Sequence, residues 1–231
     1  MKVCPVLWLL ACLVNFKERL CENVDSSNKG LTSVPEAITP NVTELDLNSN
    51  HITRIQQTDF NDKYTDLDQI SLRDNGITSI ESGCFKGTIL TNLLLTSNEL
   101  TFIPDLHEVS NTLIHLNLNS NEITTIEVDE LSYLIKLTEL YLSFNQLSTL
   151  PDIIQFMPSL QVLGLQENPL DCCCSNVWLK QKPSDLTLYL STHSCIQPTG
   201  WSSTTWDDIT KDMILRQPCQ ASSSHPRLCD A

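Results

Sequence analysis

The sequence predicts an α/β solenoid, with a curved parallel β-sheet on one face, turns and short helices on the other, and a cysteine-rich cap at its C-terminal end. Three observations predict it. An apolar pattern anchored on asparagine recurs six times. The 231 residues include only 6 glycines, against roughly 7% in an average domain, and a glycine-poor chain rich in leucine and asparagine directs attention to repeats. Six of the ten cysteines crowd between Cys172 and Cys229.

The pattern is L-x-x-L-x-L-x-x-N-x-L. Its copies are VTELDLNSNHI ending at Ile52, LDQISLRDNGI at Ile77, LTNLLLTSNEL at Leu100, LIHLNLNSNEI at Ile123, LTELYLSFNQL at Leu147 and LQVLGLQENPL at Leu170. Asn50, Asn75, Asn98, Asn121, Asn145 and Asn168 are therefore separated by 25, 23, 23, 24 and 23 residues. Leucine-rich repeats have periods of roughly 20–29 residues, so the fold class becomes a leucine-rich-repeat solenoid. Each L-x-L is a short strand whose alternate side chains share a face; Leu45 and Leu47 point inward while Asp46 points out. Strands from successive turns pair in parallel. The asparagine stands at the inward bend, where its carboxamide bonds backbone groups that the turn leaves unpaired. A second apolar set, Ile55, Phe60, Ile80, Phe85, Ile103, Ile126, Leu131 and Leu150, fills the convex side. The early prolines of IPDLHEV and LPDIIQF predict short turns or 3₁₀ pieces there.

The organisation follows. Residues 1–18 read as a signal peptide, with Lys2 before the apolar run from Val3 to Val14. That run is shorter than the roughly 20 residues that span a bilayer, and cleavage is expected between Cys12 and Cys21. Residues 19–40 form a truncated N-terminal cap around Leu31, Val34 and Ile38, and 41–170 hold the six repeats. Residues 171–219 form the cysteine-containing cap, because a solenoid end exposes an apolar turn that needs covering. Residues 220–231 are a flexible tail. The cysteine count points to an oxidising compartment, hence to a secreted, extracellular protein with no membrane span. The formal net charge of −14 argues against nucleic acid and anionic membrane faces as partners, since both are held by Lys and Arg.

The motif N-P-x-x-C-x-C with the following Trp178 and Leu179 resembles the C-terminal cap of extracellular leucine-rich-repeat proteins, the family of Slit, Toll-type receptor ectodomains and variable lymphocyte receptors. The resemblance covers roughly residues 28 to 219. It implies disulfides Cys172–Cys195 and Cys174–Cys219, although the sequence alone allows other connectivities. Two features depart from the family. Only Cys21 stands where the N-terminal cap usually carries four cysteines, and Cys173 intervenes between the first two C-cap cysteines. Cys21, Cys84, Cys173 and Cys229 thus lack assigned partners. Cys84 reads as a buried free thiol. Cys229 reads either as the partner of Cys173 or as the link of a disulfide-bonded dimer.

Function should lie in the outward-facing strand positions. Most are small and polar. Aromatic residues are the usual interface anchors, and Tyr141 and Phe144 cluster with His115 and Leu94, with Asn117 and Glu139 beside them. Repeats three to six are the expected contact zone. Trp201 and Trp206 form a second candidate, in the stretch where the resemblance places a projecting contact loop. Asn41, in Asn-Val-Thr, is the glycosylation sequon. His51, His107, His115, His193 and His225 show no metal-binding spacing, and neither a nucleophile elbow nor a phosphate-cradling glycine loop occurs. The expectation is a non-enzymatic recognition protein without cofactor. Its partner is an extracellular protein or a microbial or matrix glycan, engaged through the concave face. Innate immunity is one setting; an extracellular-matrix or signalling modulator, or a structural matrix component, is the other.

Overall fold

The computed structural model describes residues 22–216 except 173, 193, 194 and 202. The expected signal peptide, the tail, and Cys21, Cys173, Cys219 and Cys229 lie outside the described residues.

Among the described residues the chain forms twelve short strands. They are β1 (Glu22–Asp25), β2 (Val42–Asp46), β3 (Arg54–Ile55), β4 (Gln69–Ser71), β5 (Ser79–Ile80) and β6 (Asn92–Leu94). There follow β7 (His115–Asn117), β8 (Glu139–Tyr141), β9 (Val162–Gly164), β10 (Leu170–Asp171), β11 (Thr187–Tyr189) and β12 (Cys195–Gln197). Eight of them make one sheet in the order β1-β2-β4-β6-β7-β8-β9-β11, and every pairing in it is parallel. Strand order follows chain order because each turn of the solenoid places its L-x-L beside that of the turn before. Leu45, Ile70, Leu93, Leu116, Leu140 and Leu163 stack in register and are buried.

Two of these strands fall outside the six repeats. β1 precedes the six repeats and β11 follows them, so the sheet runs past the repeats at both ends. Leu188, Tyr189 and Leu190 repeat the L-x-L alternation, but position 193 holds histidine where the pattern would place asparagine. The asparagine-anchored search passes over them for that reason.

The convex side is short and irregular. Helices α1 (Gln57–Phe60) and α2 (Val128–Leu131) have four residues each. Asp59 accepts from the Gln56 backbone N–H at 2.7 Å, and Glu130 accepts from that of Glu127 at 2.7 Å. Each carboxylate thereby satisfies a donor that the helix start leaves free. The proline-containing segments give a 3₁₀ turn at His107–Val109 and turns near Ile154, as their early prolines require. Phe60 and Phe85 stack with centroids 5.7 Å apart and are fully buried, with Cys84 buried beside them as a free thiol whose titration burial pushes upward.

The asparagines carry the bends. Asn121 Nδ2 donates to the carbonyls of Leu95 (3.0 Å) and Leu118 (3.1 Å), and its Oδ1 accepts from the Leu100 N–H at 3.1 Å. Asn145 repeats this with Leu118, Leu142 and Ile123, and Asn168 with Leu142, Leu165 and Leu147. One carboxamide thus holds two turns together through backbone groups that have no water to turn to. Among the described residues no buried side-chain nitrogen or oxygen lacks a partner.

The ladder continues into the cap through a residue outside the repeats. Asn176, only 1% exposed, accepts from the Leu150 N–H at 3.0 Å and donates to Ser148 O. Trp178 Nε1 donates to Leu150 O at 2.8 Å. The last turn therefore ends with its backbone satisfied. Cys172 and Cys195 form the expected disulfide, with Cα atoms 5.3 Å apart, and tie β10 to β12 around a second small core with Ile209 and Ile214. The Cys174 side chain and Cys219, the other expected pair, fall outside the description.

Candidate ligand-binding groove on the concave face

The sheet register aligns the outward positions into columns. The central one reads Asp25, Asp46, Ser71, Leu94, Asn117, Tyr141, Gly164 and Tyr189. Its polar side chains mostly bond to residues of the neighbouring columns. Asn48 Oδ1 accepts from Ser71 Oγ and from the Arg73 N–H, both at 2.7 Å. Asn117 Oδ1 accepts from Thr96 Oγ1 at 2.9 Å and from the Asn119 N–H at 3.1 Å. Asn117, expected as a ligand residue, has its oxygen committed within the sheet.

The C-terminal end differs. An open groove of about 610 Å³ lies there. Tyr141, Phe144, Tyr189 and Leu190 supply its apolar surface, and Asn119, Ser143, Gln166, Glu167, Ser191 and Thr192 its polar groups. Gly164 is buried and lets two neighbours close over the strand: a Cβ there would lie 3.1 Å from Tyr141 Cδ1 and 3.2 Å from Ser143 Oγ. The Tyr141 hydroxyl donates to Glu139 Oε2 at 2.9 Å, and the same oxygen stands 2.9 Å from His115 Nδ1. The His115 and Tyr141 rings are 5.3 Å apart. Burial, and then the Glu139 carboxylate, hold the Tyr141 phenol above its ordinary titration range.

Phe144 occupies a special backbone position. The residue before each ladder asparagine is left-handed: Ser49, Asp74, Ser97, Ser120, Phe144 and Glu167 have φ between 52 and 59°. This conformation aims each N–H at the next turn, where five meet a carbonyl, as in Phe144 N–H to Gln166 O at 2.8 Å, and Glu167 meets Ser191 Oγ at 2.7 Å. Small or polar residues tolerate it; for a bulky one it is an outlier costing about 1–2 kcal/mol. Yet Phe144 is 59% exposed, so burial offsets little of that cost.

The structure thus gathers Tyr141 and Phe144 as expected, with His115 and Glu139 buttressing Tyr141, and adds Tyr189, which the sequence reading missed. Leu94 is half-buried two strands away and does not line the groove. Trp201 and Trp206, the second candidate, are both half-buried against the cap's second core and do not line the groove. Lys180 Nζ sits 4.1 Å over the Trp206 ring. The Trp206 N–H bonds Thr192 O at 2.8 Å and so steadies the groove's rim. Asn41 is exposed just before β2. Among the described residues, no group of three His, Cys, Asp or Glu could hold a metal ion, and no helix is long and apolar enough to cross a membrane.

The asparagine ladder, the eight-stranded parallel sheet and the disulfide-bonded cap define a leucine-rich-repeat solenoid of the ectodomain type. The family description "Leucine rich repeat" matches residues 40–100, 88–147 and 112–170, more than half of the chain, and the protein belongs to that family. It is 30% identical to Toll-like receptor 7 of Mus musculus over 191 residues, covering 72% of this chain and 18% of the receptor. It is 30% identical to nephrocan of Mus musculus over 200 residues, covering 84% of this chain and 37% of that protein. A solved structure described as the TLR13-ssRNA13 complex superposes with a TM-score of 0.56 at 31% identity, covering 62% of this chain and 21% of the other. The chain spans well under half the length of each.

Proposed function

We propose that the protein is a secreted recognition protein that binds a protein ligand at the C-terminal end of its concave face. One observation carries this reading: an aromatic cluster, with Phe144 and Tyr189 exposed beside Tyr141, interrupts a concave face that is otherwise mostly small and polar. Aromatic anchors beside polar groups are the usual composition of binding hot spots. The groove has a volume in the range of ligand sites, roughly 300–1,000 Å³. Two settings stand side by side, because the relatives include a Toll-like receptor and nephrocan: innate recognition of a microbial molecule, and modulation of an extracellular ligand. The relative solved with ssRNA13 makes RNA the alternative ligand to exclude, and the net charge of −14 weighs against it.

Affinity capture from extracellular fluid, run in parallel with cell-wall polymers and single-stranded RNA, tests the proposal. A protein retained by the wild-type chain and lost with Tyr141→Ser/Phe144→Ser supports it. Retention indifferent to both substitutions, or RNA retained in its place, overturns it.

A further inference from the structure

We propose that the groove seats a basic side chain, arginine above all, from an extended segment of the protein ligand. This rests on reading the groove as the ligand site and adds the chemistry of what enters it.

Charge selects the occupant. Across the outward columns from Asn23 to Thr192, six carboxylates face the ligand side: Asp25, Glu44, Asp46, Asp74, Glu139 and Glu167. Arg73 is the one guanidinium or ammonium group in those columns. None of the groove's lining residues is basic, and Glu167 stands at its edge. A field of this sign draws cations toward the face and repels anionic polymers.

Ring geometry selects the seat. Tyr141 and Tyr189 occupy the same column with only Gly164 between them, so their Cα atoms are separated by two strand spacings, about 9.5 Å. Gly164 is buried under Tyr141 and Ser143, so the guanidinium lies above it, against the ring faces. A planar guanidinium lies readily against an aromatic face and keeps its N–H groups free for carboxylate and amide oxygens. Glu167 supplies a carboxylate at the groove's edge, with Oε1 also accepting from Ser191 Oγ at 2.8 Å, while Gln166 Oε1 accepts from Ser143 Oγ at 2.9 Å. Glu139 adds negative charge behind the Tyr141 ring through its hydrogen bond with the hydroxyl. Phe144, strained and exposed, extends the apolar surface for the aliphatic stem of the same side chain or its neighbour.

The test uses the secreted full chain with a hexa-arginine peptide, its citrulline twin and a neutral β-glucan oligosaccharide, measured by calorimetry and by NMR shifts of the tyrosine rings. Hexa-arginine should shift Tyr141 and Tyr189, and the citrulline twin should bind at least about tenfold more weakly, a difference of about 1.4 kcal/mol. Tyr189→Ala should weaken hexa-arginine about tenfold, whereas Tyr189→Phe, which keeps the ring face, should stay within about twofold. Glu44→Gln/Asp46→Asn is the control for unspecific attraction of a polycation, because it removes charge from the far end of the face. Losses there as large as those from Tyr189→Ala overturn the seat. Oligosaccharide binding that needs Tyr189, with arginine binding that does not, overturns the basic occupant and leaves the groove as a ligand site. Indifference of both probes to Tyr141 and Tyr189 overturns the seat and the groove together.

Discussion

The two ends of the concave face share a backbone, a register and an asparagine ladder, yet they present different chemistry. At the N-terminal end polar groups close on each other: Asn23 Nδ2 donates to Glu44 Oε2 at 2.6 Å, and Asn48 gathers Ser71 and the Arg73 N–H. At the C-terminal end Tyr141, Phe144 and Tyr189 gather near Gly164, over which Tyr141 and Ser143 close. The left-handed column shows the contrast most plainly, with Ser49 and Asp74 at one end and Phe144 at the other. A solenoid repeats its core and is free to vary what the core carries. Function is therefore expected where a column departs from its own habit.

The largest effect should separate two rungs of the ladder by stability. Asn145 is buried and holds the carbonyls of Leu118 and Leu142 and the N–H of Ile123, while Asn75, its counterpart near the N-terminal end, is half-buried. Asn145→Ala should cost roughly 3–4 kcal/mol, since several buried backbone groups lose their partners, and Asn75→Ala about half of that. Urea unfolding of both variants measures the difference; equal losses would erase it.

Binding comes next. Tyr141→Ser/Phe144→Ser should weaken the captured ligand by about 100-fold or more, the range of two hot-spot truncations, at unchanged far-ultraviolet circular dichroism. Glu44→Gln/Asp46→Asn should cost about threefold and act mainly on association rate and salt dependence. If the acidic pair proves the more costly, the functional end has been misassigned.

A smaller effect runs in the opposite direction. Phe144→Asn should stabilise the fold by about 1 kcal/mol, because asparagine accepts the left-handed conformation that phenylalanine resists, and should lose affinity at the same time. Ser120→Asn, at the same point of the preceding turn, should leave stability within about 0.5 kcal/mol. Paired thermal melts compare the two. Phe144→Asn without stabilisation would mean that the ring is not strained.

The smallest effect is electrostatic. Glu139→Gln should lower the Tyr141 titration midpoint, since the carboxylate's negative charge disfavours the phenolate. The midpoint should stay above the ordinary tyrosine value, because burial is the larger cause of the shift. Tyrosine-ring NMR against pH follows it, and an unmoved midpoint would show that Glu139 does not act on the ring.

Particular residues show how far sequence reaches. The six asparagines and the L-x-L pairs locate the strands, because each repeat is stabilised by contacts that are the same in every turn. Cys172–Cys195, implied by the cap motif, forms. Asn176 does the work of a ladder asparagine, but it follows no L-x-L at the repeat spacing and so is invisible to the pattern. Trp201 and Trp206 read as a second contact site, and both pack partly against the cap's small core.

The sequence by itself determined the solenoid, its period, the buried leucines and the aromatic pair Tyr141 and Phe144, because periodicity is written locally and reports which side chains face in. Only the tertiary structure decided that β11 of the cap joins the sheet beside β9 and brings Tyr189 across Gly164 from Tyr141. It alone revealed the left-handed backbone of Phe144. Both depend on which strand pairs with which and on the turn between them, and these are settled by closing the end of the solenoid rather than by any single repeat.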